Sequence, residues 1–219
     1  MVQFLLRLGA DVDALDFWFI RKTALHYAAE KGCIRMVTLL LEAGARVNPI
    51  QDTHGLSVLQ TAVGHGTELL QTLINFGADV NAPASKCGGG TALQLAALNG
   101  KIAEARLLLK HGADVNAAPA QERGATALQY AAIKGNYRIV YMLLRAGADI
   151  AAYPAPRDGR TALEGAAEHG RLDTVALLLQ TALRQGILDK LDIKQAMKRA
   201  SQHKYYTVIR LMGTYTGSG

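Results

Sequence analysis

The sequence predicts an all-α solenoid of stacked helix-turn-helix units with extended β-hairpin-like fingers, and three observations predict it. A ten-residue phrase recurs as TALHYAAEKG (23–32), SVLQTAVGHG (57–66), TALQLAALNG (91–100), TALQYAAIKG (126–135) and TALEGAAEHG (161–170). Its first residues, Thr23, Ser57, Thr91, Thr126 and Thr161, stand 34, 34, 35 and 35 apart. A second phrase keeps step with it, as LLLEAGARVN, TLINFGADVN, LLLKHGADVN and MLLRAGADIA, with an earlier FLLRLGADVD. Composition agrees: 50% of residues are hydrophobic but only 6% are aromatic, which suits thin layers packed by Leu and Ala. Units of such a period bury their apolar faces against their neighbours, and three or more build a continuous core.

Each unit reads in order as helix, turn, helix and loop. Ser or Thr followed three residues later by Gln or Glu is a capping box, in which each side chain satisfies an orphan N–H of the other. Ser57/Gln60, Thr91/Gln94, Thr126/Gln129 and Thr161/Glu164 fit it, whereas Thr23 has His26 at the partner position. The Leu and the Ala pair that follow, such as Leu93, Ala96 and Ala97, fall at helical spacing, and small residues let neighbouring helices approach. Gly32, Gly66, Gly100, Gly135 and Gly170 then end the first helix, because glycine enters the left-handed region cheaply. A second helix with an apolar stripe (Leu107, Leu108 and Leu109, for example) runs to Gly44, Gly77, Gly112 or Gly147.

These phrases resemble the ankyrin repeat, whose pattern is Thr-Pro-Leu-His-x-Ala-Ala, Gly, Leu-Leu and Gly-Ala-Asp-Val-Asn, and the resemblance covers about 1–186. The family's Pro is Ala24, Val58, Ala92, Ala127 and Ala162 here, and its His survives as His26. From the Gly that ends each second helix to the next Thr or Ser is 14 residues after Gly9, Gly77, Gly112 and Gly147, and 13 after Gly44, so the fingers are longer than the family's usual. The second repeat has one residue fewer between Ser57 and Gly77, which tightens its inter-helix turn. The Ala-Pro-Ala loops resemble arrays in large fungal multidomain proteins. The whole chain, 1–219, reads as one domain: a half repeat at 1–16, repeats at 17–50, 51–84, 85–119, 120–154 and 155–186, a degenerate capping repeat at 187–213 and a tail at 214–219.

The ends and the charge separate from the array. The first phrase lacks a preceding helix, which leaves an apolar edge at Val2, Phe4, Leu5 and Ala24 and implies a longer parent protein, a covering partner or a second copy. Residues 195–212 align with 161–178 at an offset of 34, with Lys204 in place of the Gly. The formal charge is +6, and residues 184–219 hold seven basic and two acidic side chains, so +5 of it belongs to the cap. A basic end could meet an acidic partner or nucleic acid, but a solvated cap face explains it more simply, and no nucleic-acid motif accompanies it.

The resemblance implies a protein partner on the concave face, along the first helices and finger tips. The matching positions include Tyr27, Lys31, His65, Leu98, Asn99, Tyr130, Ile133, Lys134, Gly165, Glu168 and His169, and the fingers add His54, Arg123, Tyr153, Arg157 and Arg160. Tyr130, Ile133 and Arg123 form the expected hot spot, since aromatic and Arg side chains dominate interface energetics. Phe17, Trp18, Phe19 and Ile20 put four apolar residues in the first finger, either as a partner anchor or as a cover for the bare N-terminal edge.

Chemistry is not expected. The histidines fall in different repeats with no nucleophile beside them, and Asp11, Asp79, Asp114 and Asp149 recur where hairpin hydrogen bonds need them. Asn48, Asn81 and Asn116 occupy a position that ankyrin proteins can hydroxylate, but Asn is equally good hairpin chemistry. Gly88, Gly89 and Gly90 lack the Lys and Ser/Thr of a phosphate loop. No apolar run reaches the ~18 residues of a membrane span. Cys33 and Cys87 form no framework and too few ligands for zinc, which points to a reducing, intracellular setting, cytoplasmic or nuclear. The expected role is therefore a protein-binding module without cofactor or small-molecule substrate, whether as a regulatory or substrate-recruiting part of an enzyme or nucleotide-binding signalling protein, or as a scaffold binding through its basic cap.

Overall fold

The computed structural model describes residues 2–16, 22–49, 55–84, 89–120, 124–156 and 158–216. Phe17, Trp18, Phe19, Ile20, His54, Arg123 and Arg157 lie outside these. Within them the chain forms helix α1 (Val2–Arg7) and then pairs of helices: α2 (Ala24–Glu30) with α3 (Ile34–Glu42), and α4 (Val58–Ala62) with α5 (Thr67–Asn75). The next are α6 (Ala92–Leu98) with α7 (Ile102–Lys110), and α8 (Ala127–Lys134) with α9 (Tyr137–Arg145). Last come α10 (Ala162–Glu168) with α11 (Leu172–Gln185), then a 3-10 turn (Leu188–Lys190) and α12 (Ile193–Gln202) with α13 (Tyr206–Gly213). Among the described residues β pairing is limited to a bridge between Leu15 and Thr23 in the first finger.

First helices of five to eight residues, as α2, α4, α6, α8 and α10 are, would not persist alone, because a helix this short does not repay nucleation. Caps and layer packing hold them. Each sends one buried leucine into the core (Leu25, Leu59, Leu93, Leu128 and Leu163) and turns buried alanines toward its neighbours. The second helices bury longer side chains, among them Val37, Leu40, Leu73, Leu108, Leu143 and Leu178. Across most of the array first helices approach one another more closely than second helices do. The junction of α4 with α6 is the loosest among the first helices.

Two ladders of side chains fix the loops. Gln60 accepts the Ser57 N–H with Oε1 and donates from Nε2 to the carbonyls of Ala82 and Pro83, which tie the start of the next finger to the helix. Gln94 repeats this with Ala117 and Ala118, and Gln129 with Ala152 and Tyr153. Farther along, Asn48 donates to the Gly77 carbonyl and accepts the Asp79 N–H, and Asn81 and Asn116 do the same for the next two repeats. The first rung is an exchange of chemistry. Asp13 replaces Asn there, and Arg46 of the next repeat donates to it from both its backbone N–H and Nε.

The last rung is absent for a stated reason. Ala151 stands at the Asn position, and Ala182 stands where Gly147 would recur one period later. Alanine lets α11 run on for 14 residues, until Gly186 ends it in the left-handed conformation. No glycine carbonyl is then presented, and no asparagine is there to meet one.

Two expectations need correction. Thr161 caps α10 from one side only: its side chain accepts the Glu164 N–H, with no return bond from Glu164. A carboxylate could accept the Thr161 N–H as an amide does, but it has no N–H for the second bond by which Gln60, Gln94 and Gln129 donate to finger carbonyls, so Glu164 lacks the contact that holds each Gln over its cap. Conversely His26, which departs from the Gln/Glu pattern, completes a capping box, its Nδ1 accepting the Thr23 N–H at 3.2 Å. Burial, then Lys22, holds the His26 pKa down to about 4, so the ring is neutral and offers one acceptor and one donor, as Gln does.

Candidate first-helix recognition face

The first helices present two rows. Alanines and one leucine point inward, which leaves the residue after each capping partner and the two before the turn on the outer side. At the N-terminal end this face is charged. Tyr27, Glu30 and Lys31 are exposed, the Tyr27 hydroxyl donates to Asp16, and Lys22 pairs with Glu30 at 2.7 Å. The bond to Asp16 pushes the Tyr27 pKa up, and the Lys22 ammonium holds the Glu30 carboxyl down.

In the middle the face becomes apolar. Leu95 and Leu98 on α6 and Tyr130 and Ile133 on α8 are all half-buried, and the two helices are neighbours. Burial raises the Tyr130 pKa, so its hydroxyl stays protonated and able to donate. Gly165, expected at the surface, is buried instead. It makes room for Ile133: a Cβ there would lie 2.4 Å from Ile133 Cγ1.

At the C-terminal end charge returns. Arg160 donates from Nε to Glu168 at 2.6 Å, which holds the Glu168 carboxyl below its ordinary range. Among the described residues Arg199 Nε, on α12, is the buried side-chain nitrogen without a hydrogen-bond partner. Of the remaining expected residues, His65, Asn99, Lys134 and His169 are exposed along the turns that close the first helices, and Tyr153, 88% exposed, projects from the start of a finger. These residues form a charged, apolar, charged sequence along one side of the array. They do not converge on a pocket.

One engaged residue escapes the repeat logic. Glu104 on α7 is buried, and its two carboxylate oxygens accept the N–H groups of Gly64 and Gly66 at 2.9 Å each. Its counterparts are Met36, Leu69, Ile139 and Thr174. The second repeat's one-residue shortening ends α4 early at Ala62, and Glu104 supplies the acceptor that the shortened turn lacks. An acid at an apolar position beside a deletion was the available signal.

Reactive groups are scattered. Cys33 is exposed and free, and among the described residues no group of three or more His, Cys, Asp or Glu could hold a metal ion. No helix among them is long and apolar enough to cross a membrane. Two open clefts are present among the described residues, one lined by Leu188, Ile193 and Tyr215 and another by Asn116, Thr126, Tyr153 and Lys190.

Comparison with known proteins agrees with this geometry. A family model described as ankyrin repeats (3 copies) matches residues 1–84, 82–154 and 120–189. The chain is also similar to the fowlpox virus (strain NVSL) ankyrin repeat protein FPV244, 48% identical over 63 residues, which are 29% of this chain and 9% of that one. The chain thus covers a small part of that relative's length. Phrases, paired helices and family match run over the same residues, and the chain belongs to the ankyrin repeat family.

Proposed function

We propose that this chain is a protein-binding module that seats one partner on its first-helix face, with Tyr130 and Ile133 near the centre and Arg123 as a further contact. The observation that carries this reading is the half-buried apolar row of Leu95, Leu98, Tyr130 and Ile133 on the neighbouring first helices α6 and α8. The inner side of a curved solenoid is extended and continuous, which suits it to a protein surface. Aromatic and aliphatic anchors with polar surroundings are the usual anatomy of an interface centre. The Arg160–Glu168 pair supplies polar groups at one end, and Lys31 and Tyr27 at the other.

The test is capture from the source cell with the wild-type chain and with a Tyr130→Ala/Arg123→Ala variant, both checked for folding by circular dichroism. The reading expects a partner recovered by the wild type and lost by the variant. Equal recovery by two folded proteins contradicts it.

A further inference from the structure

A second surface lies where the last three second helices begin. Asn136 packs over Gly100, Arg171 over Gly135 and Tyr205 over Gly170, each within contact of a Cβ placed on the glycine of the preceding repeat. The residue after each of them is the first of its helix: Tyr137 of α9, Leu172 of α11 and Tyr206 of α13. These stand 35 and 34 residues apart, which is the repeat period, and α11 packs against both α9 and α13. The three side chains therefore hold one register position in three successive layers.

That position changes character along the array. Ile34 and Ile102 occupy it in α3 and α7, half-buried and packed against the core. Tyr137, Leu172 and Tyr206 are instead 46%, 40% and 70% exposed and lie outside the core cluster. Neighbouring exposed apolar groups that do not serve the core mark an interaction site. Charge surrounds them. The helix starts 101–106, 136–141, 171–176 and 205–210 carry Lys101, Arg106, Arg138, Arg171 and Arg210, all exposed and none in an ion pair with a described residue. Their acids are Asp173 and Glu104, and Glu104 is buried and occupied by Gly64 and Gly66.

We propose that this surface binds an acidic amphipathic helix of a partner protein, laid across α9, α11 and α13. Packed helices lie about 8–10 Å apart, so the exposed anchors recur at about that interval. A helix rises about 1.5 Å per residue, and residues seven apart share one face about 10.5 Å apart. Apolar side chains at i, i+7 and i+14 thus meet Tyr137, Leu172 and Tyr206 in turn, and acids beside them meet the arginines. An extended strand fits less well, because its side chains return to one face after about 6.6 Å and then about 13 Å. Single-stranded nucleic acid also fits less well, because it needs flat rings to stack on and Leu172, the middle anchor, has none. The surface is separate from the first-helix face, and the proposal does not depend on what occupies that face.

Fluorescence anisotropy tests it with a labelled, Ala-based helical peptide of about 18 residues, with Leu at i, i+7 and i+14 and Glu beside each. The comparisons are a peptide of the same composition with its leucines scattered around the helix, one with Lys for every Glu, and an oligothymidylate. The patterned acidic helix binds about tenfold more tightly than any of these, and its affinity falls as salt rises. Tyr137→Ser/Tyr206→Ser weakens it by about tenfold or more, and Arg138→Glu/Arg210→Glu does the same and flattens the salt dependence. Tyr130→Ala leaves it unchanged. Circular dichroism checks that the variants fold, and Leu172→Ser carries the same comparison if a double variant does not. No binding of the patterned helix, equal binding of the scattered one, tighter binding of the oligothymidylate, or unchanged affinity in the folded variants overturns the proposal.

Discussion

The carboxylate of Glu104 accepts the backbone N–H of Gly66 from the preceding repeat at 2.9 Å, and its other oxygen accepts that of Gly64 at the same distance. One side chain thus repairs a one-residue shortening in the repeat beside it. Glu104→Ala removes the charged acceptor of both bonds; Gly64 is exposed and Gly66 half-buried, so water meets part of the demand and the loss should be about 1–2 kcal/mol. Urea unfolding should show that loss. Glu68→Ala, on the exposed first turn of α5, is the control and should change stability by no more than about 0.5 kcal/mol.

The asparagine ladder predicts an asymmetry. Asn116→Ala removes the donor to the Gly147 carbonyl and the acceptor for the Asp149 N–H, and should cost about 1–2 kcal/mol in the same assay. Ala151→Asn should return nothing comparable, because α11 continues through the point where a glycine carbonyl would be offered.

His26 gives the array a pH dependence. Its folded pKa, about 4, lies below the ordinary 6.5, so between those values the unfolded chain binds the extra proton. The contribution is complete above 6.5 and is lost progressively as pH falls toward about 4. Thermal melts of His26→Gln should lose this part of the slope, since Gln60, Gln94 and Gln129 form the same cap without titrating.

Gly165 couples two repeats by close approach. Gly165→Ala would push its Cβ into Ile133, at 2.4 Å, and overpacking of this kind costs about 1–3 kcal/mol. Trimming the neighbour with Ile133→Ala should recover part of that loss, and a double-mutant cycle measures the coupling.

Much of the fold was legible because the repeats restate one physical solution. Thr/Ser caps, Ala pairs, turn glycines and Gly-Ala-Asp phrases each satisfy a local demand and recur in register, so the helix pairs could be placed from the sequence. What escaped were features made by two repeats at once. Glu104 looks like one more surface acid until the shortened turn beneath it is seen. Gly165 looks like an exposed helix position until Ile133 fills the space above it. His26 departs from the capping pattern in residue type but not in hydrogen-bonding valence. The recognition face was legible only in outline: the period names its positions, while the graded exposure of Leu95, Leu98, Tyr130 and Ile133 follows from layer packing.

The central claim is that a partner sits on the first-helix side of the array. Hydroxyl-radical footprinting of the partner complex tests it within one molecule, because Tyr130 lies on α8, on that face, and Tyr141, 51% exposed, lies on the second helix α9. The account predicts protection of Tyr130 on complex formation with Tyr141 unchanged. Protection of Tyr141 with Tyr130 as reactive as in the free chain would contradict it.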